Sequence, residues 1–447
     1  MSGISRVLAA FATGAISPSE RAREIIRLSL ADWAACGLAG AEEPVAQITR
    51  DMVLAEAGAG ASVLFGGGVA PARAAALVNG ATSHALDFDD THFLHIGHPS
   101  VVIFPACLAL AQQINATGAQ FLEATLIGFE TSARIGAWLG RGHYETGFHQ
   151  TATAGSFGAT LACARLLGLT AEQTQHALGL CATRASGLKS QFGTMGKPYN
   201  AGLAASNAVE VALLISRGFI SRPDGLECLQ GFGDTHAGAS DILALDGLGG
   251  TWVTETVSHK FHACCHGTHA ALEALKIATE DLSVDQIMGI TIQTNPRWAR
   301  VCNIETPQTG LEAKFSYKMT AAMALLGRDT GRADQFEDSF CMQDDARKLA
   351  NSVAVVFDEE IPETAAKIAI THSGGENKAS FDLAEPLPLD VIKTRLSAKI
   401  FALVGPEKAP NLLDTSASLQ AAMSVQAFTK HLAVLSIHLS KNTPGES

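Results

Sequence analysis

At His259-Lys260-Phe-His262-Ala-Cys264-Cys265-His266-Gly-Thr-His269 the chain changes character. Upstream, to about residue 257, almost nothing alternates with the period of two that a strand requires. Ser17-Pro18-Ser19-Glu20 reads as a helix start, with Ser17 as cap, Pro18 in the first helical position and Glu20 completing a capping box. Ile25, Leu28, Trp33 and Leu38 then recur near helical spacing, and Gly37 and Gly40 mark the exit. Further helices are expected over 72–85, 101–113, 118–139, 153–167, 201–217 and from the capping box Thr170–Gln173 to about Ala182. Downstream, the quoted segment is expected to open a helix reaching about Thr279. Ser283–Gln286 then caps a turn, and Ile290–Thr294 alternates as a strand, as do 353–357 and 367–371. The last of these pairs with 378–382 as a hairpin across Ser373–Asn377. This is an α+β unit of roughly 130 residues, an ordinary domain size. An amphipathic helix is expected over 391–403, and a further helix over 419–439 that packs back on the first part. Residues 442–447 are expected to fray.

With 447 residues, the chain is long enough for two or three domains, or for one large helical domain with an insert. Hydrophobic residues make up 47% and charged residues 17%, so much surface is buried. The formal net charge is −12, the pI is near 5.7, and no Lys/Arg block is present, which argues against nucleic acid and anionic membrane as partners. No signal peptide is read at the N-terminus, and Val101–Leu110 is too short to span a bilayer. The nine cysteines are odd in number, scattered and without a CxxC pair, which suits reduced thiols in a cytoplasmic protein. Gly66-Gly67-Gly68 lacks the lysine and spacing of a phosphate loop and reads as a turn.

Three polar clusters interrupt the apolar helices. The first is His84-Ala-Leu-Asp87-Phe-Asp89-Asp90-Thr91-His92-Phe-Leu-His95-Ile-Gly-His98-Pro99. The second, Arg141–Thr151, contains His149 and Tyr144, one of three tyrosines. The third, Lys189–Asn200, contains Gln191 and Lys197. Imidazoles titrate near working pH, so His98 and His149 are candidates for general acid–base work. Lys197 stands in a region of few charges, where a lysine can hold an anion or act as a base. Asp87 can orient a neighbour or hold a substrate hydroxyl, Thr91 can donate to a carboxylate or cap a helix, and Tyr144 can act as an acid, bind carboxylate or simply pack. The histidine and aspartate density raises a metal site, with His95 and His98 three apart, but no established ligand spacing is present and no metal is assigned. Cys264 and Cys265 are adjacent on an expected helix, point in different directions, and cannot flank one carbon.

Together the clusters resemble the MmgE/PrpD family, whose known members include 2-methylcitrate dehydratase, cis-aconitate decarboxylase and iminodisuccinate epimerase. The likeness is carried in order by Leu86-Asp-Phe-Asp-Asp-Thr91…His98-Pro99-Ser100, Gly147-Phe-His149…Gly155-Ser-Phe-Gly158 and Gly193-Thr-Met-Gly-Lys197-Pro…Ala201-Gly…Ala204-Ala205. Lys260-Phe…Cys265…Thr268-His269 and Ala313-Lys314-Phe315-Ser316 continue it. The resemblance implies a mostly α protein: a large all-helical domain from both chain ends, 1–260 completed by 392–447, with a smaller α+β lid inserted at 261–391. It also implies a homodimer that needs no cofactor. Carried over residue by residue, it implies an active site of Asp87, Thr91, His98, His149, Lys197 and Lys260. Two positions depart from the decarboxylase pattern: Cys265 stands where a histidine is expected, and a tyrosine expected near Met319 is absent, although Tyr317 lies close. The expectation is therefore an epimerase similar to iminodisuccinate epimerase, moving a proton at the carbon α to a carboxylate of a di- or tricarboxylic acid. A dehydratase or decarboxylase is the alternative, and an inactive helical scaffold the non-enzymatic one. His149, Lys197, His98, Asp87 and Tyr144 are read as catalytic, and Thr91, Lys260, Cys265, His269 and Gln191 as substrate-binding. Asp89, Asp90, His92 and His95 are read as supporting or capping residues.

Overall fold

The computed structural model describes residues 3–56, 58–419 and 424–437. The protein is mostly helical, with one four-stranded sheet and one two-stranded ribbon among those residues. The chain divides into two compact units, one running to His259 and resuming at Leu403, the other Lys260–Ala402. The helix Leu389–Val404 thus falls mainly in the second unit, so the return to the first comes later than the expected 392. The helix expected over 419–439 is seen as Val425–Ile437, and residues 442–447 lie outside those described. No helix among the described residues is long and apolar enough to cross a membrane.

In the first unit the helix Glu20–Ala39 starts on Ser19, whose hydroxyl accepts from the Ala22 amide at 3.0 Å. Ser19, and not Ser17, is therefore the cap, because Ser19 is the last residue with extended backbone angles. Trp33 on this helix is buried against Phe65 and Phe104, with ring centroids 5.1 and 5.5 Å away. The helices Ser100–Gln113 and Gln150–Leu166 are buried almost all round, as their uniformly apolar or small sequences require. Gly118–Thr146 runs past Leu139 and is broken only at Gly140, where φ is 75°. Gly66–Gly68 turns between Ser62–Val63 and Val69–Ala70, in agreement with its sequence.

A single helix crossing positions two of the polar clusters. The helices Ala72–Ser83 and Gly196–Ser216 meet backbone to backbone at Gly80 and Gly202, where a Cβ on Gly80 would lie 2.7 Å from the Gly202 Cα. From there the first helix ends at His84 and the second begins beside Lys197, so two glycines bring the first and third polar clusters together. Gly202→Ala should cost about 1–3 kcal/mol through overpacking against backbone that cannot yield. The helix-propensity gain of roughly 0.5–1 kcal/mol does not offset this. A thermal unfolding midpoint equal to wild type would remove the crossing as a constraint.

The second unit is built on a sheet with strand order Val353–Phe357, Ile287–Thr294, Ala365–His372, Gly375–Asp382. The first pair is parallel and the others antiparallel. Ile290, Ile292, Ile368 and Ile370 face a core shared with Ala271 and Leu275 of the helix His269–Ala278. The hairpin is present but tighter than expected: His372 pairs with Gly375, which leaves Ser373-Gly374 as the turn. The helix expected from His259 begins only at His269. The amides of Ala263 and Cys265 donate instead to the carbonyls of Thr330 and Lys314, distant partners that replace helical bonds.

Candidate active site

After Ser83 the chain turns on Asp87, whose φ of 50° places a non-glycine residue in the left-handed region. Aspartate is among the few residues that tolerate this conformation. Asp89 then points inward and is fully buried. Its two oxygens accept from Nδ1 of His84 and Nδ1 of His98, each at 2.8 Å. Burial alone would raise its pKa, but the two imidazoles more than offset this and hold the carboxyl well below the usual carboxylate range. An ionised carboxylate only accepts, so both rings carry hydrogen on Nδ1. Asp90 accepts from the amide and hydroxyl of Ser100 at 3.2 and 2.7 Å, and so anchors the start of the helix Ser100–Gln113. Burial, with Asp89 and Asp32 nearby, pushes Asp90 up to about 7.

Thr91 pairs antiparallel with Ser258 through two backbone bonds of 2.9 and 2.8 Å. His92 donates from Nε2 to the Val253 carbonyl at 2.8 Å. His95 is buried, and desolvation holds its pKa well below the ordinary histidine value. Asp89, Asp90 and His92 thus tie the segment to its surroundings, Asp89 by binding a candidate acid–base histidine directly, whereas the ring nitrogens of His95 have no hydrogen-bond partner among the described residues.

Nε2 of His98 faces Asp87 at 3.5 Å, and the other oxygen of Asp87 is ion-paired to Lys197 at 2.7 Å. The helix carrying Lys197 starts at Gly196, ahead of the expected start at 201, so Lys197 projects from a first helical turn and not from a loop. Its ammonium also lies 5.5 Å from the centre of the Phe192 ring. His149 is the N-cap of Gln150–Leu166 and is buried. Desolvation first, then the proximity of His84, Lys197 and His98, holds His149 well below the ordinary histidine pKa, so the ring is neutral. Its tautomer is set by Asn200. The Asn200 Nδ2 donates to the Leu188 carbonyl at 3.3 Å, which orients the amide, and also faces His149 Nδ1 at 3.3 Å. His149 Nδ1 is therefore an acceptor, and its proton sits on Nε2. The two histidines carry opposite tautomers, each set by a buried partner.

Of the remaining expected residues, Tyr144 and Gln191 belong to the first unit and make other contacts there. Tyr144 is half-buried and carries the Lys189 ammonium on its ring face, 3.7 Å from the centroid. Gln191 is exposed and turns back on Thr194 at 3.3 Å, within its own loop. Lys260, Cys265 and His269 belong to the second unit. There Lys260 and His269 are buried, and Cys265 Sγ lies 2.9 Å from Cys302 Sγ. Burial pushes the neighbouring Cys264 thiol up to about 12, which makes it inert. His84 and Asn200 do not stand out in the sequence, although both lie inside the polar clusters. What they do depends on a partner five residues away in one case and 51 in the other.

His84, Asp87, Asp89 and His98 offer ligand atoms within 4.8 Å of one another, a spacing a metal ion could use. Two facts oppose that reading. Each Asp89 oxygen is already committed to an Nδ1–H, and Lys197 adds a positive charge beside Asp87. The group closes on itself as a hydrogen-bonded network.

A buried carboxylate-backed histidine, a neutral histidine of fixed tautomer and an ion-paired lysine are the equipment of an enzyme that moves protons. The chain belongs to the MmgE/PrpD family, matching the MmgE/PrpD N-terminal domain over residues 6–243 and the MmgE/PrpD C-terminal domain over 262–380. Among characterised relatives, the cis-aconitate decarboxylase-like protein oryM of Aspergillus oryzae is 31% identical over 62% of each chain. The cis-aconitate decarboxylase of Aspergillus terreus is 28% identical over 76% of this chain and 75% of its own. The human cis-aconitate decarboxylase is 26% identical over 57% of this chain and 56% of its own. The chain thus spans less than two thirds of the length of the first and third of these.

Proposed function

We propose that this protein is a lyase acting on a di- or tricarboxylic acid, with proton transfer at the carbon next to a carboxylate. The observation that carries the reading is the chain of contacts Asp89–His98–Asp87–Lys197 beside the neutral His149. In a decarboxylation the bond from carbon to the departing carboxylate breaks, CO₂ leaves, and the electron pair stays on carbon until a proton arrives. His98 is suited to bring that proton from Nε2, because carboxylates flank both its nitrogens and stabilise charge on the ring. A neutral imidazole is a poor acid but a good donor, so His149 Nε2–H serves to hold a carboxylate or a developing oxyanion. Lys197 supplies the positive charge that an anionic substrate needs. The names of the relatives put a decarboxylase ahead of the epimerase expected from the sequence. Epimerisation stays as a second reading because Cys265 stands where the decarboxylase pattern expects a histidine.

One experiment separates these readings. The purified protein is incubated in deuterated water with a panel of dicarboxylates and tricarboxylates that includes cis-aconitate. A decarboxylase releases CO₂ and leaves one deuterium in the product. A dehydratase forms an absorbing alkene, and an epimerase washes deuterium into the α position without either. Absence of exchange, elimination and CO₂ release across the panel overturns the proposal in favour of a non-catalytic role.

A further inference from the structure

Asp89 is a single buried carboxylate serving two imidazoles, and the two rings are not equivalent. Nδ1 of each donates to it at 2.8 Å, and the ring centroids lie 4.6 Å apart. His84 is buried, and its Nε2 has no hydrogen-bond partner among the described residues. With Nδ1–H committed to Asp89, a neutral His84 buries only a lone pair at Nε2. A charged His84 would bury an unpaired N–H, which costs far more. His98 differs, since its Nε2 faces Asp87 and its side chain is 12% exposed. One carboxylate supports one positive charge, so a proton entering the pair has a single favourable place.

We propose that Asp89 is a positioning residue that fixes the tautomer of both rings, keeps His84 neutral and directs the proton of the pair to Nε2 of His98. The pair then takes up one proton, carried by His98. The groups facing His98 are Asp87, Asp89, His84, His95 and His149, with Lys197 reached through Asp87. Among them Asp89 alone touches both rings of the pair through Nδ1. The catalytic consequence rests on reading His98 as the proton carrier, but the electrostatic arrangement does not.

The test therefore uses no substrate. Exchange of the histidine C2 hydrogen for deuterium, read by peptide mass spectrometry across pH, gives a titration midpoint for each ring in the full-length protein. In wild type, His98 titrates and His84 stays neutral through the same range. Asp89→Asn should lower the His98 midpoint by about one pH unit or more, the usual effect of losing an adjacent opposite charge. His84→Phe should raise it, because the carboxylate then serves His98 alone. An unmoved His98 midpoint in Asp89→Asn overturns the proposal, as does a wild-type His84 that titrates together with His98. Should Asp89→Asn fail to fold, His84→Phe decides, with a rise supporting the proposal and no shift overturning it. Inactivity across the carboxylate panel would overturn the lyase reading and leave these midpoints standing. If a substrate is found, Asp89→Asn should move the pH–kcat profile to lower pH in parallel with the His98 midpoint while KM changes little. A purely structural role would not do this.

Discussion

Lys197→Met should lower kcat/KM by about 10²–10⁴-fold on whichever carboxylate the panel identifies, with the fold kept. Methionine keeps the apolar stem of the side chain, while the charge and its approach to the Phe192 ring are lost. That loss has two effects. The cation that receives a substrate carboxylate is gone, and the charge of Asp87, which is 41% exposed at its side chain, is no longer neutralised where an anion must enter. Both act against binding and turnover together. The effect on stability should be small, because an ion pair this exposed contributes roughly 0–1 kcal/mol. Activity within a few-fold of wild type would remove Lys197 from the site. Lys197→Arg should recover only part of the rate, since a planar guanidinium cannot take the compact ammonium's place at 2.7 Å from Asp87 without shifting it.

Lys197 can be picked out from its sequence because residue type and company suffice: a lone charge among small and apolar neighbours. His98, His149 and Asp87 stand out differently, by residue type inside polar clusters that interrupt apolar helices, and the structure gathers them near Lys197. The hairpin is also legible, since its signals are local, although its turn is Ser373-Gly374 and not the expected Ser373–Asn377. What is not legible depends on partners far apart. Gly80 and Gly202 read as ordinary helix glycines until the two helices are seen to touch. Asn200 reads as a polar residue near a helix start until it is found on His149 Nδ1. The start of the helix after 260 is misjudged from sequence for the same reason: the amides of Ala263 and Cys265 are taken by Thr330 and Lys314, more than forty residues on. Asp89 is the instructive case. Its sequence context points to a supporting residue, but nothing local shows that its two oxygens accept from two histidines at once.

Arg134→Met should destabilise the protein by about 3–5 kcal/mol, the effect expected when one partner of a buried ion pair is removed. Arg134 is 2% exposed and Glu130 is fully buried, one helical turn apart on Gly118–Thr146. Arg134 Nε donates to Glu130 at 2.7 Å, and its terminal nitrogens donate to the carbonyls of Ala244, Asp246 and Thr251 at 3.0, 2.8 and 2.7 Å. Glu130 in turn accepts from the amides of Val253 and Thr254 and the hydroxyl of Thr254. The pair therefore clamps residues 244–254, which have little regular structure of their own. That loop carries the Val253 carbonyl that holds His92 and leads to Ser258, the partner of Thr91. Loss of the guanidinium leaves Glu130 charged and buried beside three unpaired carbonyls. The change should appear as a lower thermal midpoint and as faster amide exchange concentrated in 244–258, with Lys197 and Asp87 keeping their ion pair. Combining Arg134→Met with Glu130→Gln removes the stranded charge and should restore part of the loss, a non-additivity expected only of groups that act as one. Additive losses in the double variant, or exchange unchanged in the loop, would mean that the loop is held by something other than this pair.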